Sequence, residues 1–272
     1  MESIDEIGPS TNPKSQPARL QVWERQREEG EWATPVEKLT VDQLPQGVTD
    51  INIQGRQTIG ALQGFGQLWK KTYRIALTGV TLNAREVMQI WKDHFPEFQP
   101  PGNRFYPPEG GLAPGKVMMI DSPLPVAAPF FDKPGIVPMT SGVMILYSDD
   151  ESFSVMTPEG FPVAGWNNFS VFDDGGTLTA QVQSFERASD PIYEFGFRLM
   201  GGAARQEFIW VNVLTNLGEW LGVKEEVSRS RECLDPQLQW RYFGRVWKNA
   251  GIRTTFYKLS APIRWIRNLI RG

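Results

Sequence analysis

The stretch Arg205–Val223, RQEFIWVNVLTNLGEWLGV, decides the fold expected for this chain. At 100° per residue its large apolar side chains fall within an arc of about 140°, while its polar side chains lie on the other side. The apolar set is Ile209, Trp210, Val213, Leu214, Leu217, Trp220 and Leu221. Two glycines precede the stretch and Gly222 is a C-cap candidate, so the pattern predicts one long helix over residues 203–221. An apolar face this wide requires a large partner surface.

Strand-like segments upstream can supply that surface. Alternation of apolar and polar residues predicts strands at Thr72–Val80, Lys116–Asp121, Gly142–Tyr147, Ser152–Thr157, Asn167–Phe172, Thr177–Phe185 and Ile192–Arg198. Asn83, with Glu86 three residues later, predicts a capped helix that runs to about His94. This order predicts an α+β fold in which helices gather on one face of a curved antiparallel sheet.

The composition predicts three parts along the chain. Residues 1–66 are rich in Pro, Gly, Gln, Ser and Thr, which indicates an extended or disordered arm. Its apolar anchors are Leu39, Val41, Leu44, Val48, Ile51 and Ile53. Residues 67–223 form the α+β domain. Residues 224–272 form a basic amphipathic extension with helices at Gln237–Ala250 and Ala261–Arg271, and Thr254–Tyr257 is extended between them.

The predicted order of elements resembles the START-like (polyketide cyclase, SRPBCC) superfamily, whose closing helix the stretch ending Leu221-Gly222-Val223 looks like. Thr157–Val171 (TPEGFPVAGWNNFSV) is similar to a stretch in a bacterial branch of that superfamily whose function is unknown. Here Trp166-Asn167 replaces the acidic pair of that branch. The resemblance covers roughly residues 68–223 and implies a helix-grip fold, in which a bent antiparallel sheet wraps around a long C-terminal helix. It also implies a cavity for an apolar or amphipathic ligand, without implying one activity.

Candidate ligand-binding residues come from the methionines, from the polar tips of the predicted strands and from the apolar face of the closing helix, which could form one wall of a cavity. Seven of the eight methionines fall between Met88 and Met200, and methionine can line a ligand cavity or fill a core. The candidates are Met118, Met144, Tyr147, Trp166, Asn168, Tyr193, Trp210, Val213 and Leu217.

The leading hypothesis is non-enzymatic binding of a hydrophobic or amphipathic, lipid-like small molecule. Two alternatives stay open. One is an enzyme of the cyclase or hydrolase type, with Tyr147, Asn168, Tyr193 or Glu194 supplying polar groups. The other is a structural or protein-interaction module whose cavity is filled by its own side chains.

Single-residue counts exclude several kinds of site. Cys233 is the only cysteine and His94 the only histidine, which excludes an internal disulfide, a cysteine-based zinc cluster and a histidine-rich metal site. We therefore expect no metal and no cofactor. The first residues do not have the pattern of a secretory signal, and no run of 18 apolar residues occurs. We expect a cytoplasmic protein, and the resemblance implies a bacterial one.

The net charge of −3 hides an uneven distribution. Residues 236–272 hold eight Lys or Arg and no Asp or Glu, which leaves 20 basic and 31 acidic residues in the preceding part. The basic tail predicts contact with an anionic membrane surface, a protein partner or the acidic body itself. The residues for this contact are Arg241, Arg245, Lys248, Arg264, Trp265, Arg267 and Arg271. Because only the tail is basic, no nucleic acid is expected as a partner.

Overall fold

One eight-stranded antiparallel sheet organises the part of the chain that this computed structural model describes, residues 31–260 without Asp42 and residues 127–134. For residues 123–126 and 135–138 only the backbone is described. The strands are β1 (Leu68–Ala76), β2 (Arg104–Tyr106), β3 (Val117–Val126), β4 (Gly135–Ser148), β5 (Ser152–Met156), β6 (Val163–Asp173), β7 (Leu178–Ala188) and β8 (Ser228–Asp235). Their order across the sheet is β2-β3-β4-β5-β6-β7-β1-β8, so β1 lies between β7 and β8.

The α-helices are α1 (Ala84–Asp93), α2 (Pro191–Leu199), α3 (Gly202–Trp220) and α4 (Ala250–Leu259), with 3₁₀ helices at Ala61–Gln63 and Trp240–Lys248. Two of them, α1 and α3, cover one face of the sheet, which we call the inner face. The long helix α3 packs across β1 and β7, and α1 packs against β6. The predicted α+β helix-grip fold, with a curved antiparallel sheet and a long closing helix, is confirmed.

The ends of α1 and α3 follow from local chemistry. The Asn83 side chain accepts a hydrogen bond from the Glu86 backbone N–H at 3.0 Å, and the Glu86 carboxylate accepts one from the Asn83 N–H at 2.8 Å. This reciprocal pair is the predicted capping box. Gly222 follows α3 with a φ of 78°, a conformation that glycine adopts without steric cost.

The predicted strand at Ile192–Arg198 is wrong, because these residues lie in helix α2. The Asp190 carboxylate accepts hydrogen bonds from the backbone N–H groups of Ile192 (2.8 Å) and Tyr193 (3.0 Å). Pro191 occupies the first helical position, where its missing N–H costs nothing. This N-terminal cap prevails over the strand preference of Ile, Tyr and Phe.

Strand β1 begins and ends four residues before the predicted Thr72–Val80, since a turn with Gly79 at a φ of 76° follows it. Strand β8 was not predicted. Its side chains are exposed apart from the half-buried Asp235, so it lacks the alternation that marks a strand.

The predicted α-helix at Gln237–Ala250 is wrong in type and extent, since a 3₁₀ helix covers only Trp240–Lys248. The predicted extended segment Thr254–Tyr257 is also wrong, because it lies inside α4. The Asn249 side chain accepts from the Ile252 N–H at 3.0 Å, so a new helix starts there. The predicted helix Ala261–Arg271 lies outside the described residues.

Residues 31–66 pack against the opposite, outer face of the sheet. Leu39 and Ile53 are buried against Val117, Met119 and Met144. Of the other predicted anchors, Val41 and Val48 pack half-buried against the same cluster, whereas Leu44 is exposed. The Asn52 amide donates to the Thr140 carbonyl oxygen (2.8 Å) and the Thr254 hydroxyl (2.9 Å), which ties this segment to β4 and α4. The three-part division stays a prediction, although β8 adds part of residues 224–272 to the sheet.

Candidate functional site

The inner space beside the C-terminal half of α3 is filled by the chain's own side chains. The Phe169 ring stacks on Phe153 with centroids 4.4 Å apart. It also meets the rings of Phe95 at 5.3 Å, Trp210 at 5.5 Å and Trp91 at 5.7 Å. All these side chains belong to one buried cluster that contains 24 residues, among them Val213, Leu214 and Leu217 of α3. We call this half of the interior the filled core.

The inner space beside the N-terminal half of α3 is open. Two adjacent cavities of about 270 and 320 Å³ share Lys71, Ala203 and Arg231, and we call them together the basin. Strands β1, β7 and β8 and helices α2 and α3 supply most of its wall. The lining residues are Gln67, Trp69, Lys71, Tyr73, Val163, Glu186, Arg187, Ala188, Glu194, Phe197, Arg198, Ala203, Glu207, Arg229, Ser230 and Arg231.

A buried network of Lys71, Glu186 and Gln206 links the basin to α3. The Lys71 ammonium donates to Glu186 Oε1 at 2.6 Å and to Gln206 Oε1 at 2.5 Å, and the Gln206 amide donates to Glu186 Oε2 at 2.7 Å. The side chain of Lys71 is 13 % exposed and that of Glu186 is 3 % exposed. Each carboxylate oxygen of Glu186 therefore has a partner, as a buried charge requires.

The strand register explains why these charges meet. In the β1–β7 pairing Trp69 lies opposite Glu186, and Lys71 lies opposite Ser184. Residues opposite each other, and residues two apart on one strand, share a face. Lys71 and Glu186 therefore project to the same face as Tyr73, which belongs to the filled core.

Two further polar side chains extend this inner polar surface toward β6. Ser184 lies opposite Lys71 on β1 and opposite Asn167 on β6. Ser184 is 0 % exposed and Asn167 is 8 % exposed. Ser184 Oγ and Asn167 Oδ1 have no hydrogen-bond partner among the described residues. Buried polar atoms without a partner are uncommon, and neither of these residues lines the basin.

The open side of the basin carries one more cation than its ion pairs use. The Arg229 guanidinium donates to Glu207 at 2.6 Å, and that of Arg198 donates to Glu194 at 2.5 Å. Arg231, which is exposed, has no ion pair within the described residues. The Arg187 guanidinium is engaged by Asp235 and the Gly66 carbonyl oxygen. Arg231 is thus the cation left for an anionic group.

Tyr73 stands at the border between the basin and the filled core, since it lines the first and belongs to the second. Burial raises the pKa of its hydroxyl above the ordinary value, and the nearby charges of Glu186 and Glu207 raise it further. The hydroxyl therefore keeps its proton well into the alkaline range.

Five of the nine predicted ligand-binding residues lie in apolar clusters. Met118, Trp210, Val213 and Leu217 are part of the filled core. Met144 points to the other face of the sheet and packs against Leu39 and Ile53.

The other four predicted ligand-binding residues make polar or aromatic contacts away from the basin. The Tyr147 hydroxyl hydrogen-bonds to Asp149 (2.5 Å) and Glu31 (2.7 Å). The Trp166 ring stacks on Phe185 at 5.4 Å, and Asn168 accepts from the Ser154 hydroxyl at 2.8 Å. The Tyr193 hydroxyl accepts from the Gly251 N–H at 3.1 Å. None of the nine lines the basin, and their binding role stays a prediction.

Sequence reasoning missed Lys71, Glu186, Gln206 and Arg231. The signal for two of them was present, because extending the predicted strands by one or two residues continues their alternation. Lys71 is two residues before Tyr73, and Glu186 is four residues after Val182 on the same face. Arg231 had no such signal, since β8 is polar on both sides.

One basic residue of the 3₁₀ helix contacts the body of the protein, and two others contact an aromatic ring of the same helix. The Lys248 ammonium donates to Glu159 at 2.7 Å. The guanidinium groups of Arg241 and Arg245 lie 4.8 and 4.7 Å from the centre of the Tyr242 ring. Burial lowers the pKa of Arg245 below its ordinary value. A partner role for these residues stays a prediction, and Arg264, Trp265, Arg267 and Arg271 lie outside the described residues.

Two absences hold for the described part of the chain. No three His, Cys, Asp or Glu side chains there come together as a metal ion would require. No helix in residues 31–260, where described, is both long and apolar enough to span a membrane.

Comparison with known proteins finds distant structural similarity and no similarity in sequence. No protein-family model matches the chain, and no curated protein matches it in sequence. Among solved structures, KanY is similar with 12 % identity and a TM-score of 0.40 over 58 % of this chain and 99 % of KanY. The di-domain ARO/CYC StfQ from the steffimycin biosynthetic pathway has 10 % identity and a TM-score of 0.38, over 57 % of this chain and 51 % of StfQ. The major latex-like protein 151 of Panax ginseng has 12 % identity and a TM-score of 0.33, over 57 % of this chain and 98 % of its own.

The predicted resemblance to the START-like superfamily is confirmed at the level of the fold. At these identities and TM-scores, the matches carry no argument about activity.

Proposed function

We propose that this protein binds a small amphipathic molecule with an anionic group in the basin. The observation that carries the proposal is the position of the open space: it lies beside the N-terminal half of α3, where charged side chains line it, and not beside the apolar half. This refines the prediction of a hydrophobic or amphipathic ligand, because the apolar half is occupied by the filled core.

The lining of the basin matches the two ends of such a ligand. Trp69, Val163 and Phe197 offer apolar surface, and Arg231 offers a guanidinium without an ion pair among the described residues. A guanidinium can hold a carboxylate, sulfonate or phosphate with two parallel hydrogen bonds.

The volume of the basin limits the ligand's size. Each of its two cavities, of about 270 and 320 Å³, taken singly stands near the lower end of the roughly 300–1,000 Å³ usual for ligand pockets. A single aromatic or short aliphatic molecule fits this space better than a two-chain lipid.

The test uses 1-anilinonaphthalene-8-sulfonate, an aromatic probe with one anionic group. We expect saturable binding by fluorescence titration, and Arg231→Ala should weaken the affinity about tenfold, as expected for a lost charged hydrogen bond. Arg85→Ala is the matched control, because Arg85 is exposed and its partner Asp150 lies outside the basin. Equal affinities for wild type and Arg231→Ala would overturn the proposed site. In a separate experiment, mass spectrometry of small molecules that co-purify with the full chain would identify the natural ligand.

Catalysis in the same basin is the second candidate function, and the buried Lys71–Glu186 pair favours it. A carboxylate and an ammonium at the wall of a cleft can serve as general acid and base. If the co-purified ligand is converted to a product, Glu186→Gln should abolish turnover while binding persists. Unchanged turnover in Glu186→Gln would exclude this carboxylate as a catalytic group.

A further inference from the structure

The segment after β8 turns its aromatic side chains outward. Trp240 is 67 % exposed, Phe243 52 %, Trp247 82 % and Phe256 68 %, and Leu259 is 71 % exposed. We call these four aromatic residues, together with Leu259, the aromatic surface. They belong to the 3₁₀ helix Trp240–Lys248 and to α4, which contact each other. Exposed apolar groups gathered in one region mark an interaction site.

The aromatic surface is held in place from below. The Trp240 ring meets the buried Phe65 edge-on at 5.3 Å and stacks on Phe243 at 6.2 Å. The Ala250 N–H donates to the Gly160 carbonyl oxygen at 2.9 Å, and the buried Thr254 accepts from Asn52. The exposure of the aromatic residues is therefore a property of an anchored segment.

Helix α2 adds apolar surface beside it. Phe195 and Leu199, one turn apart on α2, are 56 % and 71 % exposed. Helix α2 contacts the 3₁₀ helix that carries part of the aromatic surface.

The charges around the aromatic surface are all of one sign within its own segment. Arg241, Arg253 and Lys258 are exposed, and residues 236–260 contain no Asp or Glu. Lys248 is also exposed but is paired with Glu159 at 2.7 Å. Aromatic side chains with interspersed cations suit the boundary of a bilayer that contains anionic lipids, where apolar burial and charge attraction add.

We propose that the aromatic surface docks on an anionic lipid bilayer. A second copy of the chain is disfavoured as the occupant, because pairing two such surfaces would bring their cations together. An anionic bilayer satisfies both the aromatic and the basic groups.

Co-sedimentation of the full chain with vesicles tests the proposal. Vesicles of mixed phosphatidylcholine and phosphatidylserine should bind the protein, and added salt should weaken the binding by screening. The double variant Trp247→Ser/Phe256→Ser should lower the partition coefficient at least about tenfold, because two apolar anchors are lost. The matched control is Leu62→Ser/Phe208→Ser, which removes side chains that are 68 % and 46 % exposed elsewhere.

The controls separate the alternatives. Binding that is equal in wild type and Trp247→Ser/Phe256→Ser would overturn the proposal and assign any attachment to another part of the chain. Light scattering could instead show a wild-type dimer that is absent in this variant. If the wild type also failed to bind vesicles, that result would overturn the proposal in favour of self-association. Far-ultraviolet circular dichroism and a urea midpoint that match the wild type show that the variant is folded. The probe titration in the basin should be unaffected by this variant, so the two proposals fail independently.

Discussion

The two halves of the space beside α3 differ in what fills them, although the same helix and the same sheet enclose both. Beside the C-terminal half, aromatic rings from α1, β5 and β6 meet and exclude any guest. Beside the N-terminal half, the strands contribute Lys71, Glu186 and Arg231 instead, and a cavity remains. The difference teaches that a helix-grip fold can keep its stabilising core and an open space in separate places along one helix.

The largest expected effect comes from opening the filled core. Phe169→Ala removes a ring that is 1 % exposed, and we expect a loss of about 3–5 kcal/mol in the free energy of unfolding. Urea denaturation with an unchanged m-value would measure it. Phe208→Ala, at a position that is 46 % exposed, should cost less than about 1 kcal/mol. Similar losses in the two variants would show that the core is not as closely filled as described.

A somewhat smaller effect is expected where the basin meets the helix. Lys71→Met leaves the buried Glu186 carboxylate without its cation, so stability should fall by about 3 kcal/mol. Adding Glu186→Met should recover part of the loss, because the unpaired charge is then gone. The control Arg85→Ala breaks a surface ion pair with Asp150 whose side chains are 68 % and 73 % exposed, and should cost about 0–1 kcal/mol. A double variant no more stable than Lys71→Met would contradict the assigned role of the pair.

Tyr73 allows the border between the two regions to be probed by pH. Its pKa is raised in the folded state above the ordinary value of 10.0, so the native protein holds a proton that the unfolded chain releases. Stability should therefore fall as pH rises above about 10. Tyr73→Phe removes this contribution, so the fall between about pH 8 and pH 10.5 should be smaller than in the wild type. An identical pH dependence of the two proteins would place the Tyr73 hydroxyl in a more open environment than the structure shows.

The smallest effect on stability is expected at the open side of the basin. Arg231 is exposed, and Arg231→Ala should change the free energy of unfolding by no more than about 0.5 kcal/mol. The same variant should nevertheless lose affinity for the anionic probe. A stability loss as large as that of Lys71→Met would indicate that Arg231 supports the fold and is not held ready for a ligand.

The sequence predicts the architecture through features that repeat along an element. The apolar arc of Arg205–Val223 and the Asn83–Glu86 capping box each depend on residues close in the chain, and both were predicted correctly. Helix α2 was missed because strand preference was weighed above the Asp190-Pro191 cap. Strand β8 was missed for a different reason: an exposed edge strand buries nothing, so it leaves no apolar pattern to find.

The candidate site was harder to predict than the fold. The nine predicted ligand-binding residues were methionines, residues with polar tips and apolar residues of the closing helix, and the folded chain uses four of them to fill its core. Lys71 lies more than 100 residues before Glu186 and Gln206 in the chain. Only the β1–β7 register brings Lys71 and Glu186 together. That register depends on long-range pairing, which the local pattern does not contain.

Strand β8 closes the outer edge of β1 and becomes the last strand of the sheet. A final strand offers unpaired backbone groups to any other strand, and charged side chains along it discourage such pairing between molecules. Arg229, Arg231 and Glu232 supply that deterrent in β8. Residues that would recognise a ligand thus also protect the protein from aggregation. Replacing Arg229 and Arg231 together by neutral residues would leave an edge strand that pairs more readily between molecules. A double variant made to study binding would therefore precipitate at high concentration.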